Sequence, residues 1–137
     1  MLLLRARETA MSRFRPILHA HGVTEQQWRA LRALHERGEL TAAALADECA
    51  ILAPSMTRII RRLSQDGYVR ANRAKADQRE LRLKISAKGK RLVERVGPII
   101  EQAYAEIRDQ VEPEHLDALY GELARFIERV DRVGRSG

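Results

Sequence analysis

At 137 residues the chain is one domain's worth of sequence, long enough to bury one core. A composition that is 45% hydrophobic and 32% charged excludes disorder and fits a helix-rich soluble protein. The net charge is +6, and residues 53–91 carry 12 Lys or Arg against 3 Asp or Glu, so one segment holds the positive excess expected of a polyanion binder.

Leu3, Leu4, Arg7, Met11, Phe14 and Leu18 recur at helical spacing and predict a helix over about 2–20, with a kink or break at Arg15–Pro16 and a stop at Gly22. The Leu2–Leu4 run is too short for a secretory leader, and no apolar stretch approaches the roughly 18 residues of a membrane span. Thr24 and Gln27 have capping-box spacing and open a second helix, whose buried stripe is Trp28, Leu31 and Leu34 and whose stop is Gly38. Thr41 caps a short third helix with Ala44, Leu45 and Cys49 on one face. Ala50, Ile51 and Leu52 link it to a fourth helix, which has Pro54 in its first turn, Met56, Ile59, Ile60 and Leu63 inward, and Gly67 at its end.

Period-two alternation then predicts two strands, 68–73 and 81–85, joined by a charged loop over 74–80. Ser86, near Gly89, caps a long helix over about 87–111 with a bend at Pro98. Pro113 opens a last helix with the stripe Leu116, Leu119, Leu123, Phe126, Ile127 and Val130, and the tail 132–137 is expected to fray. The fold class is therefore mainly α with a small β-hairpin. Helix–turn–helix followed by a hairpin is a winged helix-turn-helix.

The fourth helix turns Pro54, Ser55, Thr57, Arg58, Arg61 and Arg62 away from the core. Short hydroxyls and Arg58 suit base edges, and Arg61 and Arg62 suit phosphates. An ordinary arginine-bearing surface helix is the competing reading. Arg73, Lys75 and Arg79 in the hairpin suit the narrow minor groove, and Asp77 is read as holding Arg79 or capping the turn.

The stretch from Leu40 to Lys90 resembles the MarR family of bacterial regulators. The resemblance rests on the Ser/Thr/Arg helix, its ending LSQDGYVRANR, the Asp-x-Arg wing at Asp77 to Arg79, and LRLKISAKG. It implies a homodimer held by helices over about 1–22 and 98–137. The lobe over about 24–97 would read half of a pseudo-palindromic operator in double-stranded DNA. The stretches ARETAMSRFRPIL, GVTEQQWRALRAL and CAILAPSMTRI are similar to the branch of that family that represses homoprotocatechuate and 4-hydroxyphenylacetate degradation. That likeness implies release from DNA by a small aromatic carboxylate.

Arg7, Met11, Arg15, His19 and Trp28 are the candidate effector residues, because an Arg fork suits a carboxylate and an indole can stack on a ring. Arg7 lies on the stripe of Met11 and Phe14 and is expected to face inward, either to a ligand or to an acidic residue across the dimer. Trp28 also reads as plain core, and His19 and His21 as surface residues at a helix end. Cys49 reads as inert core, with a redox-sensing regulator as the alternative function. A sequence-non-specific nucleic-acid binder without effector is the other alternative. No Gly-rich phosphate loop, catalytic triad spacing or metal-ligand cluster is present, so no enzyme activity, cofactor or metal is expected. The lone cysteine allows no internal disulfide, and a cytoplasmic location is expected.

Overall fold

The computed structural model describes residues 1–73 and 80–135, with the Arg73 side chain also outside the description. The chain forms two compact units, Met1–Ile100 and Glu101–Gly137. The first unit contains α1 (Leu2–Ala20), α2 (Glu25–Arg37), β1 (Leu40–Thr41), α3 (Ala42–Cys49), α4 (Ala53–Gln65), β2 (Val69–Arg73), β3 (Leu81–Ile85) and most of α5 (Ala87–Val111). The end of α5 and α6 (Pro113–Arg135) make the second.

Helix ends follow the local chemistry of the sequence. At α1 the Val23 N–H donates to Leu18 O and the Gly22 N–H to His19 O, with Gly22 at φ +75°. This is a Schellman ending, and the apolar pair it brings together, Leu18 and Val23, is buried. The end of α4 repeats it, with Tyr68 bonded to Leu63, Gly67 to Ser64, and Gly67 at φ +76°. At α3 the left-handed position falls on Ala50, at φ +52°, a conformation that costs a residue with a Cβ. The α2 capping box is complete: the Gln27 N–H donates to Thr24 Oγ1 (3.1 Å) and the Thr24 N–H to Gln27 Oε1 (3.0 Å).

α1 runs unbroken through Pro16, so of the expected kink or break the break does not occur. Pro16 is exposed, and the Ser12 carbonyl left without its helical donor is on a residue that water reaches. α5 likewise continues through Pro98. On α3 the buried residues are Leu45, Ala46 and Cys49, whereas Ala44 faces out, so Ala46 takes the place assigned to Ala44.

The core of the first unit centres on Leu31, Leu34, Leu45, Met56, Leu63 and Leu83, all almost fully buried. The expected hairpin is the main part of a three-stranded antiparallel sheet of order β1-β3-β2. Leu40 pairs with Leu83, and Val69 with Ile85, which turns Leu83 and Ile85 inward and Arg82 and Lys84 outward. β1 is two residues long, too short to show a period. Ser86 ties sheet to helix: its hydroxyl donates to Gly67 O (2.6 Å) and accepts the Gly89 N–H (3.1 Å) at the start of α5.

In the second unit Tyr104 and Tyr120 stack with ring centroids 6.4 Å apart. Arg108 donates two bonds to Asp117, at 2.9 and 3.2 Å. Leu116 is buried, but Leu119, Phe126, Ile127 and Val130 on the same stripe are 47–58% exposed. α6 continues to Arg135, so Arg132 to Arg135 of the tail expected to fray are helical, and Ser136 and Gly137 lie outside the described residues. No helix of the described residues is long and apolar enough to cross a membrane.

Candidate nucleic-acid interface and effector cleft

α4 is strongly two-sided. Met56, Ile59, Ile60 and Leu63 are buried, while Pro54, Thr57, Arg58, Arg61 and Arg62 are exposed and Ser55 is half-buried. Pro54 sits in the first turn, where its missing N–H costs nothing. Thr57 bonds back to Ala53 O (3.0 Å), which fixes its hydroxyl. The Arg58 guanidinium reaches Ser55 Oγ (3.4 Å), and Arg62 pairs with Asp66 (3.0 Å), one turn on. Arg61 has no hydrogen-bond or ion-pair partner among the described residues. The helix therefore presents three guanidinium groups on one open face with two hydroxyls at its start. Arg70, Arg82, Lys84 and Lys88 add exposed cations nearby in sequence. Arg82 shares its charge with Glu39 and Glu80 (both 3.6 Å), and Lys88 bonds Asp66 O and lies over the Tyr68 ring. Lys75, Asp77 and Arg79 fall outside the described residues, and of Arg73 only the backbone, at the end of β2, is described.

The five residues proposed for an effector come together around two adjoining cavities that share Arg7, Leu18 and Glu25 as walls. One, of about 260 Å³, is walled by Met11, Phe14, Leu18, Trp28 and Ile100, with Arg7, Glu25 and Arg29 at its polar side. The other, of about 590 Å³, takes Arg15, His19, Thr24 and Gln26. An apolar slot beside a few convergent polar groups is the usual make-up of a small-molecule site. Trp28 serves both readings, since it is buried in the core and lines the slot.

In the single chain the Arg7 side chain is 45% exposed, lines both cavities, and pairs with Glu8 (3.0 Å) and closely with Glu25. A long side chain on the apolar stripe keeps its stem in contact and its head in water. Sequence reading passed over Phe14, Glu25, Arg29 and Ile100 as site residues. Glu25 carried a signal, because it stands in the first turn of α2, one turn before Arg29. Ile100 carried none, because the tertiary fold brings α5 to this place. Arg29 also donates to Cys49 O (2.8 Å), fastening α2 to the end of α3.

Cys49 is buried, and burial pushes its thiol up from the ordinary value, a shift that the nearby Arg29 partly opposes. That environment suppresses the thiolate. Among the described residues no group of three or more His, Cys, Asp or Glu could hold a metal ion.

The sequence matches the MarR family model over residues 21–80. It is 42% identical to the homoprotocatechuate degradative operon repressor of Escherichia coli over 125 residues, covering 91% of this chain and 84% of that one. The transcriptional regulator PA4135 has the same fold with a TM-score of 0.88 and 40% identity, covering 93% of each chain. NadR, solved in complex with 4-hydroxyphenylacetate, aligns with a TM-score of 0.77 and 39% identity over 90% of this chain and 88% of that one. The winged helix built on α3, α4 and the β2–β3 pair, with this likeness along nearly the whole chain, places the protein in the MarR family.

Proposed function

We propose that the protein is a homodimeric repressor that binds the operator of an aromatic-acid catabolic operon and leaves it when a phenolic carboxylate binds. The reading is carried by the identity, along nearly the whole chain, to a repressor of homoprotocatechuate degradation. The open face of α4 and the cavities beside Trp28 give that reading its chemistry.

In this account α4 enters the major groove. Pro54, Ser55, Thr57 and Arg58 meet base edges at its start, and Arg61 and Arg62 meet phosphates farther along. Arg62 exchanges Asp66 for a phosphate on binding. Arg73, Lys75 and Arg79 take the flanking minor groove, with Asp77 shaping the loop. Two such lobes, about 34–36 Å apart, read the two half-sites. Arg7, Met11, Arg15, His19 and Trp28 receive the effector, with its ring against Trp28 and its carboxylate on arginine. Binding favours lobe spacings that no longer match the operator. The complex forms in the cytoplasm, where the DNA is.

The test is a fluorescence-anisotropy titration with a labelled fragment from upstream of the protein's own gene and a shuffled fragment of equal length. Affinity for the upstream fragment at least a hundredfold above that for the shuffled one, at moderate salt, is expected of a specific regulator. Equal affinities, both falling steeply with salt, would mark a non-specific binder.

A further inference from the structure

The wall between the two cavities holds more positive charge than it neutralises. Three guanidinium groups converge on the Glu25 carboxylate: Arg7 in close contact, Arg15 Nε at 3.2 Å and Arg29 at 3.5 Å. Arg15 turns its other nitrogens to Glu8, at 2.8 and 3.0 Å. Three cations thus share two carboxylates. The Arg29 Nε–H is buried and finds no acceptor among the described residues. Burial first, and the neighbouring Arg7 charge next, push the Arg29 guanidinium down from its ordinary value. The positive groups therefore feel one another, and an oxygen is wanting.

Glu25 is the most enclosed member, 14% exposed against 45, 43 and 37% for Arg7, Arg15 and Arg29. It begins α2, where the Thr24–Gln27 capping box fixes the backbone and the helix N-terminus favours an anion. Its carboxylate thus stands on the arginines at the mouth of an apolar slot lined by Met11, Phe14, Trp28 and Ile100. That arrangement, an apolar slot beside a carboxylate held by arginines, has the chemistry of a bound arylcarboxylate.

We propose that Glu25 is a resident occupant of the arginine cluster that receives the effector's carboxylate, so that an arylcarboxylate binds in competition with it. This rests on the reading of the cavities as the effector site. Glu25 then sets effector affinity: an incoming carboxylate either displaces it or settles for the single charge left over. Replacing Glu25 by Gln keeps the size and the helix start, and leaves two positive charges to compensate instead of one. An anion gains from that change, whereas a neutral molecule with the same ring does not.

The experiment is calorimetric titration of the parent, Glu25→Gln and Glu25→Asp with 4-hydroxyphenylacetate and with the matching alcohol, 2-(4-hydroxyphenyl)ethanol. Quenching of the single tryptophan, Trp28, gives a second readout, and circular dichroism checks that each variant is folded. Glu25→Gln is expected to bind the acid about tenfold more tightly, the scale of one partly exposed charge-assisted interaction, with the alcohol unchanged. Glu25→Asp, which retains the charge, is expected to stay within a few-fold of the parent. If the parent binds the acid and Glu25→Gln binds it no better, or gains equally for acid and alcohol, the competition is refuted while the cleft remains an effector site. If neither protein binds the acid at millimolar concentration, the effector reading falls and the proposal falls with it.

Discussion

Gly89 shows how much a single missing methyl group can decide. A Cβ there would press into Tyr68 O and come within 2.7 Å of Ile85 Cγ1, at the seam where β2, β3 and α5 meet. Gly89→Ala should therefore cost about 3 kcal/mol of stability, read as a lower urea midpoint, because backbone cannot yield as a side chain can. Ala50 is the reverse case. It holds φ +52° at the end of α3, and Ala50→Gly should raise stability by up to about 1 kcal/mol, the relief of the Cβ clash less the entropy glycine adds to the unfolded chain. Cys49 makes a third prediction. Its raised thiol keeps its proton when folded, so an alkylating reagent at pH 8 should react far more slowly with the native protein than with the protein in urea. The linkage has one sign: the unfolded chain loses this proton first as pH rises, so Cys49 subtracts from stability only in the alkaline range. Equal labelling rates would reopen the redox-sensing alternative. The role of Ser86 as a cap was legible from its place before a helix, but its bond to Gly67 O was not, because 19 residues separate them.

Helix signals in this chain are strong, and the elements follow them. Thr24, Thr41 and Ser86 cap where hydroxyls before apolar periods should cap, and Gly22, Gly38 and Gly67 stop where φ must turn positive. The exceptions share a cause. Pro16 does not break α1, and β1 escaped notice, because exposure in one case and pairing with Leu83 and Arg82 in the other are tertiary facts. Ala44 and Ala46 are equally apolar, so only packing could choose between them. On α4 the two faces were readable because four inward residues keep helical spacing through the arginines. The proposed division of labour there can be separated experimentally. Arg58→Ala should cost about 1–3 kcal/mol on the operator and relax preference at one base position, whereas Arg61→Ala should weaken all DNA alike and lower the salt slope by about one. Competition anisotropy with single-base operator variants measures both. If the two substitutions behave identically, the assignment of base and phosphate contacts on this helix is wrong.

At the scale of the molecule, one feature that calls for a partner is the apolar stripe of α6. Leu119, Phe126, Ile127 and Val130 remain about half exposed along one helix, the kind of clustered apolar surface that marks an interaction site. A second copy would cover it in the proposed homodimer. Ile127→Asp should then shift the protein to monomer in sedimentation and lower operator affinity about a hundredfold, because each half-site alone is weak. The proposed effector cleft was half legible: Arg7, Met11, Arg15, His19 and Trp28 line the two cavities, but Glu25 and Arg29 join them through contacts between α1, α2 and α3. Operator release links the proposed effector cleft to the DNA-binding face in a single titration. Labelled upstream DNA is held by the protein at moderate salt while 4-hydroxyphenylacetate is added, with 2-(4-hydroxyphenyl)ethanol as the neutral control. Anisotropy is expected to fall to that of free DNA with the acid and not with the alcohol. Undiminished binding at saturating acid, with the acid bound to the protein by calorimetry, would contradict it.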